Sequence, residues 1–436
     1  MRVLFRSSTR MLACFSFLAL TAIPTLAIKR FRADQFSRGR DLYEAFFESE
    51  EKQSQWKNES EFDQSQRRTD ETAESHLVTS LPLLVNDLTT KHYAGHVPAS
   101  SDDDKKLFYW LFYPDVADKN VKDEDIPLLI WLNGGPGCSS MDGLFLENGP
   151  FRFDESDTKI YLNPYSWHKA PAYVLYVDQP VGTGLSFTKK KKYCKTDEEI
   201  NIDFYFFLNK FLQLHSDVML KNNKNELKRP FFFSGESHAG HYIPSMITYI
   251  QSKNQANPEI LMPVSGAAIG NGWVDPYYQY SASDVSYGAG IIDLAQKAML
   301  DQMEVTCHRD MTEKHELASN TCYALQGTII DNVFGKQSSY EISPYDYNLS
   351  EPKNSPRKFP PGHKLVEAYL GGWKSKYHPS VPTKYAEVLR AIHASESISA
   401  NQRYLECTDP PYVSTSSRRF QLIYYHIHYK PLLTSS

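Results

Sequence analysis

The chain has 436 residues, of which 41% are hydrophobic, and carries a formal net charge of −5. This is ordinary globular composition, and the simplest expectation for its length is one large enzyme domain with insertions. The small charge, with no basic stripe interleaved with aromatic residues, excludes nucleic acid as an expected partner.

In chain order, Arg2, Arg6 and Arg10 precede an apolar run from Met11 to Ile23 and then Pro24-Thr-Leu-Ala27. This pattern predicts a secretory signal over residues 1–27, and the run is too short to be read as a membrane span. Residues 28–75 are rich in Glu, Gln, Ser and Arg with few apolar positions, which predicts a mobile arm or pro-segment. From 76 to 280 strands alternate with helices. Leu107–Phe112, Pro127–Leu132, Ala172–Val177 and Val264–Ile269 read as strands, and Glu198–Met219 reads as an amphipathic helix with Phe204, Leu208, Phe211 and Leu212 on one face. The block Lys189–Lys192 reads as a solvated loop.

One segment of this region carries chemistry. Phe231-Phe-Phe-Ser-Gly-Glu-Ser237-His-Ala-Gly-His-Tyr-Ile-Pro244 runs an aromatic strand through small residues into a helix predicted over His238–Gln251. That is the pattern of a nucleophile elbow, in which a sharp turn lifts a serine hydroxyl clear of the sheet. His241, one helical turn beyond Ser237, is expected to pack behind the elbow. Residues 281–394 change to short helical and loop segments with several prolines, 395–409 return to the core, and 410–436 form a tail. Five cysteines follow Cys14: Cys138, Cys194, Cys307, Cys322 and Cys407. In an oxidising compartment they are expected to pair, with connectivity left open by the residues themselves. Asn58 and Asn348 stand in glycosylation tripeptides.

Four further blocks accompany the elbow: Trp131-Leu-Asn-Gly-Gly-Pro-Gly-Cys-Ser-Ser140, Gly143-Leu-Phe-Leu-Glu-Asn-Gly-Pro150, Asp178-Gln-Pro-Val-Gly-Thr-Gly-Leu-Ser186 and Ile269-Gly-Asn-Gly-Trp-Val-Asp-Pro276. In order and spacing they resemble the serine carboxypeptidase family, from about Leu81 to about Cys407. The resemblance implies an α/β-hydrolase fold, with a doubly wound, mostly parallel sheet, a mostly helical cap over 281–394, and the final strands missing. It implies Ser237 as the nucleophile, the backbone amides of Gly135 and His238 as the oxyanion hole, and recognition of the substrate's terminal carboxylate by Asn133, the Gly134 backbone, Glu147 and Glu236. It also implies a Cys138–Cys407 bridge, which leaves Cys307 and Cys322 to clip the insertion and Cys194 as the odd thiol. Asn271, Trp273, Asp275, Asp178 and Gln179 are expected to brace the site.

The expected activity is release of C-terminal amino acids from peptides and proteins through a Ser237 acyl-enzyme. Acidic pH is expected to favour it, because the clustered acids donate hydrogen bonds only while protonated. The expected partners are peptide or protein C-termini, in the vacuole or a lysosome-like compartment, the Golgi, or outside the cell. No His-Glu-x-x-His, Cys-x-x-Cys or Walker-type loop is present, so no cofactor or metal is expected. Two departures from the family qualify the reading. His238 stands where tyrosine is usual, and imidazole is smaller and can become charged in acid. After Cys407 the family's segments bearing the triad aspartate and histidine are not found, so no catalytic Asp or His is assigned, and the chain as given is expected to be weak or inactive. Arg419–Tyr429 can form one strand with His426 and His428 on one face, which is a poor substitute for two strand-end loops. The alternatives to a hydrolase are a catalytically silent peptide-binding relative and an acyltransferase using the same serine.

Overall fold

In the computed structural model, residues 72–115, 121–153, 159–314, 320–334, 338–343, 346–352, 363–372 and 384–408 are described. The expected signal segment, nearly all of the arm, Asn58 and the tail with His426 and His428 lie outside these residues.

The strands are β1 (His92–Pro98), β2 (Lys105–Phe112), β3 (Leu128–Leu132), β4 (Phe151–Phe153), β5 (Ile160–Leu162), β6 (Tyr173–Asp178), β7 (Phe187–Thr188), β8 (Phe231–Glu236) and β9 (Val264–Gly270). The main sheet runs β1-β2-β6-β3-β8-β9, with β7 paired to β2. β1, β2 and β6 pair antiparallel, whereas β6, β3, β8 and β9 are parallel neighbours. This is the mixed, mostly parallel α/β-hydrolase sheet expected from alternating strands and helices.

Strand periodicity divides the core in two. Leu107, Tyr109 and Leu111 of β2 enter one cluster, while Phe108, Trp110 and Phe112 enter another on the opposite face. The first cluster is closed by helix α1 (Asp197–Leu214), which contributes Phe204, Phe207, Leu208, Phe211 and Leu212, and by helix α2 (Ala239–Gln255), which contributes Tyr242, Ile243 and Met246. Thr196 caps α1 by accepting a hydrogen bond from the Glu199 amide at 3.1 Å. The helix predicted over Glu198–Met219 breaks at His215, and a short second segment, Ser216–Met219, follows.

Within 281–394, helices α3 (Leu294–Glu313) and α4 (Asn320–Asn332) build a small core of their own around Ile292, Leu300, Leu325 and Ile329. The Cys307–Cys322 disulfide joins the two helices. By contrast Leu365, Tyr369, Val388 and Leu389, assigned by sequence to the same insertion, pack with Trp110 and Phe145 against the main sheet. Their apolar spacing serves a helix in either place, so the sequence does not show which core they join.

Candidate active site

β8 delivers Ser237 to the end of the sheet, where its backbone takes the left-handed conformation, φ 55°. A non-glycine residue there is strained, and hydrogen bonds hold it: the Ser237 amide donates to the Gly270 carbonyl at 3.0 Å, and its carbonyl accepts from Gly240 at 2.9 Å and Trp273 at 2.8 Å. The side chain is exposed at the head of α2. Against it lies the turn after β3. A Cβ on Gly134 would stand 2.5 Å from the His238 amide nitrogen, so only glycine lets the two backbones approach. Gly135 has φ +109°, a conformation that again favours glycine.

The same turn places Asn133. Its Oδ1 accepts hydrogen bonds from Trp131 Nε1 at 2.7 Å and the Gly143 amide at 3.1 Å. With the oxygen so committed, Nδ2 faces the two glutamates and donates to Glu147 Oε1 and Glu236 Oε1, each at 3.0 Å. Glu147 ends a π-helical turn, Gly143–Glu147, and Glu236 ends β8. Burial raises the Glu236 carboxyl above its ordinary value, opposed by hydrogen bonds to Asn133 and Glu147. Two carboxyls sharing one NH₂ group cannot both ionise cheaply, which favours a proton shared between them.

Beneath the turn, Asp178 is fully buried and accepts from Ser139 Oγ at 2.6 Å and from the amides of Ser140 and Leu185, each at 2.9 Å. Burial pushes its carboxyl up to about 6 against those donors. Beside it Asp142, which the sequence analysis did not single out, is buried and raised well above the usual range by burial and by Glu406, Asp178 and Glu147. Cys138 and Cys407 are disulfide-bonded, and residues 137–139 and 406–408 exchange backbone hydrogen bonds: Ser139 N to Glu406 O at 2.7 Å and Thr408 N to Gly137 O at 3.0 Å.

The remaining residues fall as follows. His241 is buried against Trp273, ring centroids 5.0 Å apart, and burial lowers it to about 4. The expectation that His238 could charge in acid is corrected: burial, then His241, hold it well below the ordinary histidine value. Asp275 caps the short helix Pro276–Gln279 by accepting from the Tyr277 amide at 3.2 Å. Cys194 is a buried free thiol that donates to Asp203 at 3.1 Å. Asn348 is exposed.

Comparison with known proteins bears on the family and the fold. The profile of the family "Serine carboxypeptidase" matches residues 82–431, running past the vicinity of Cys407 where the residues alone stop showing the family pattern. A serine carboxypeptidase family member of Dictyostelium discoideum is 38% identical over 297 residues, 66% of this chain and 50% of that protein. A pheromone-processing carboxypeptidase of Phytophthora infestans is 33% identical over 344 residues, 78% of this chain and 53% of that one. The chain thus spans about half the length of these curated relatives. The crystal structure of a prohormone-processing carboxypeptidase from Saccharomyces cerevisiae superposes with a TM-score of 0.66 at 26% identity, covering 84% of this chain and 77% of that one. On the matched span and the shared fold, this chain belongs to the serine carboxypeptidase family.

Proposed function

We propose that the chain carries the nucleophile and substrate-binding half of a serine-type carboxypeptidase that releases C-terminal amino acids from peptides and proteins. The observation that carries this reading is the junction of the exposed, strained Ser237 with the Asn133–Glu147–Glu236 cluster. Ser237 Oγ attacks the scissile carbonyl, and the amides of His238 and Gly135 receive the oxyanion. Asn133, Gly134 and the glutamates hold the substrate's terminal carboxylate, which restricts cleavage to the last residue. Among the described residues no imidazole is hydrogen-bonded to Ser237, and no base is assigned to it.

A glutamate pair that keeps a proton donates to a carboxylate, and a doubly ionised pair repels it. This supports an enzyme favoured at acidic pH. Two disulfides and the exposed sequon at Asn348 support a secretory-pathway protein in a vacuole-like compartment, the Golgi or outside the cell. Among the described residues, no helix is long and apolar enough to cross a membrane.

The test compares an N-blocked dipeptide with its C-terminal amide at mildly acidic pH, with and without an added alcohol. Release from the free acid alone supports the reading. Equal release from the amide contradicts carboxylate recognition. Ester formation in place of release identifies an acyltransferase, and binding without turnover identifies a silent relative.

A further inference from the structure

The carboxylate cluster draws its three side chains from supports of unequal stiffness. Asn133 is fixed by Trp131 and the Gly143 amide, and Glu236 is carried by strand β8 in the middle of the parallel sheet. Glu147 stands at the end of the turn Gly143–Glu147. Its apolar anchors Leu144 and Phe145 are fully buried, whereas Leu146 and Glu147 are half-buried. Packing therefore fixes the start of the turn more firmly than the end that carries the carboxyl.

Backbone pairing leaves the same end in need of donors. The amides of Asn148 and Gly149 both return to the Gly143 carbonyl, at 2.9 and 3.1 Å. Four residues beyond Leu146 is Pro150, which has no amide hydrogen to give, and four beyond Glu147 is Phe151, already paired in β4 with Leu162. One side chain meets both carbonyls. Arg152, on β4, donates from Nη1 to the Leu146 carbonyl and from Nη2 to the Glu147 carbonyl. Its strand is held beneath the turn by Phe151 and Phe153, whose rings pack on Phe145 with centroids at 5.9 and 5.4 Å. The next two residues have anchors of their own: Tyr176 donates to Asn148 Oδ1 at 2.7 Å, and Asn163 Nδ2 donates to the Gly149 carbonyl at 2.8 Å. The bonds from Arg152 are those that fall on Glu147 itself. A guanidinium suits the task because its rigid fork of donors holds two neighbouring carbonyls at once, whereas an ammonium is a point charge on a flexible stem.

We propose that Arg152 is a positioning residue for recognition of the substrate's terminal carboxylate: by clamping the last two carbonyls of the Gly143–Glu147 turn it keeps the Glu147 carboxyl in register with Asn133 and Glu236. The inference rests on the reading of those three residues as the carboxylate site.

The test is calorimetric binding of an N-blocked dipeptide and of its C-terminal amide, at mildly acidic pH, to the Ser237→Ala chain with Arg152 unchanged, Arg152→Met or Arg152→Lys. The Ser237→Ala parent is expected to prefer the free acid. Arg152→Met is expected to bind the free acid roughly tenfold more weakly, as the loss of one hydrogen bond to a charged group gives, with affinity for the amide unchanged. Arg152→Lys, which keeps the charge and loses the fork, is expected to fall between the two. If Arg152→Met does not fold, Arg152→Lys carries the test alone. A free-acid preference untouched in Arg152→Met, or loss of acid and amide binding in equal proportion, overturns the proposal and leaves the carboxylate site standing. Full preference in Arg152→Lys overturns it as well, since charge alone would then suffice. A parent that binds acid and amide alike overturns the carboxylate reading, and this inference with it.

Discussion

Glu236→Gln tests the electrostatics of the carboxylate cluster. Glu236 and Glu147 each accept from the one Asn133 amide nitrogen at 3.0 Å, and Asn133 is held in that orientation by Trp131 and Gly143. Gln keeps the acceptor for Asn133 and places a permanent NH₂ donor where the carboxylic acid donates only while protonated. In the unmodified cluster each pH unit above the pair's titration removes the donating form about tenfold, equivalent to about 1.4 kcal/mol. The fall continues until a hydrogen bond to a charged ligand, roughly 1.5–3 kcal/mol, is lost. The assay is the affinity of the Ser237→Ala chain for an N-blocked dipeptide between pH 4.5 and 8, with and without Glu236→Gln. Affinity is expected to fall with rising pH in the parent, and the descending limb is expected to move to higher pH or disappear in the variant. The stability consequence has the same sign. A carboxyl whose folded value is raised by burial stabilises the fold most below its unfolded value and loses that contribution as pH rises through the folded value, so Glu236→Gln flattens stability across that window. A flat parent profile, or a variant with the parent's descending limb, would refute the role given to the pair.

Asp178→Ala leaves Ser139 Oγ and the amides of Ser140 and Leu185 without their acceptor, and at roughly 1–3 kcal/mol per buried orphan the loss is expected to be at least about 3 kcal/mol. Denaturant midpoints check this, and a loss under about 1 kcal/mol contradicts the bracing role. Removing the Cys138–Cys407 bridge, with its separation of 269 residues, is expected to cost roughly 5 kcal/mol by loop-closure entropy, against roughly 3 kcal/mol for Cys307–Cys322, separation 15. Thermal unfolding of the two Cys→Ser pairs ranks them, and the reverse order counts against the assignment. Cys194 is buried, and its thiol is raised by burial and by Asp203, so a thiol reagent is expected to label it only after unfolding. Rapid labelling of the native chain would contradict that.

The elbow was legible because its signals are local: an aromatic strand, a serine and small residues in one short segment. The central strands were legible for the same reason, since Leu107–Phe112 and Pro127–Leu132 have no polar interruption and come within two residues of their observed bounds. The glutamate cluster was legible only through the family blocks, because Asn133, Glu147 and Glu236 are brought together across the ends of three elements by tertiary folding. What escaped is what burial decides. Asp142 was not singled out in the sequence, and His238 looked free to take a proton. No local pattern announces that either ring or carboxyl is enclosed. The packing of Leu365 and Leu389 on the main sheet escaped because helical periodicity specifies an apolar face without naming its partner.

The most direct measurement is release of the C-terminal amino acid from an N-blocked dipeptide at mildly acidic pH by this chain and by Ser237→Ala, both shown to be folded. Release that is abolished by Ser237→Ala is the result expected for a serine carboxypeptidase built on this elbow. Release that persists without the serine hydroxyl would contradict it, whereas no release from a folded parent is the result that the lack of an assigned catalytic Asp and His predicts.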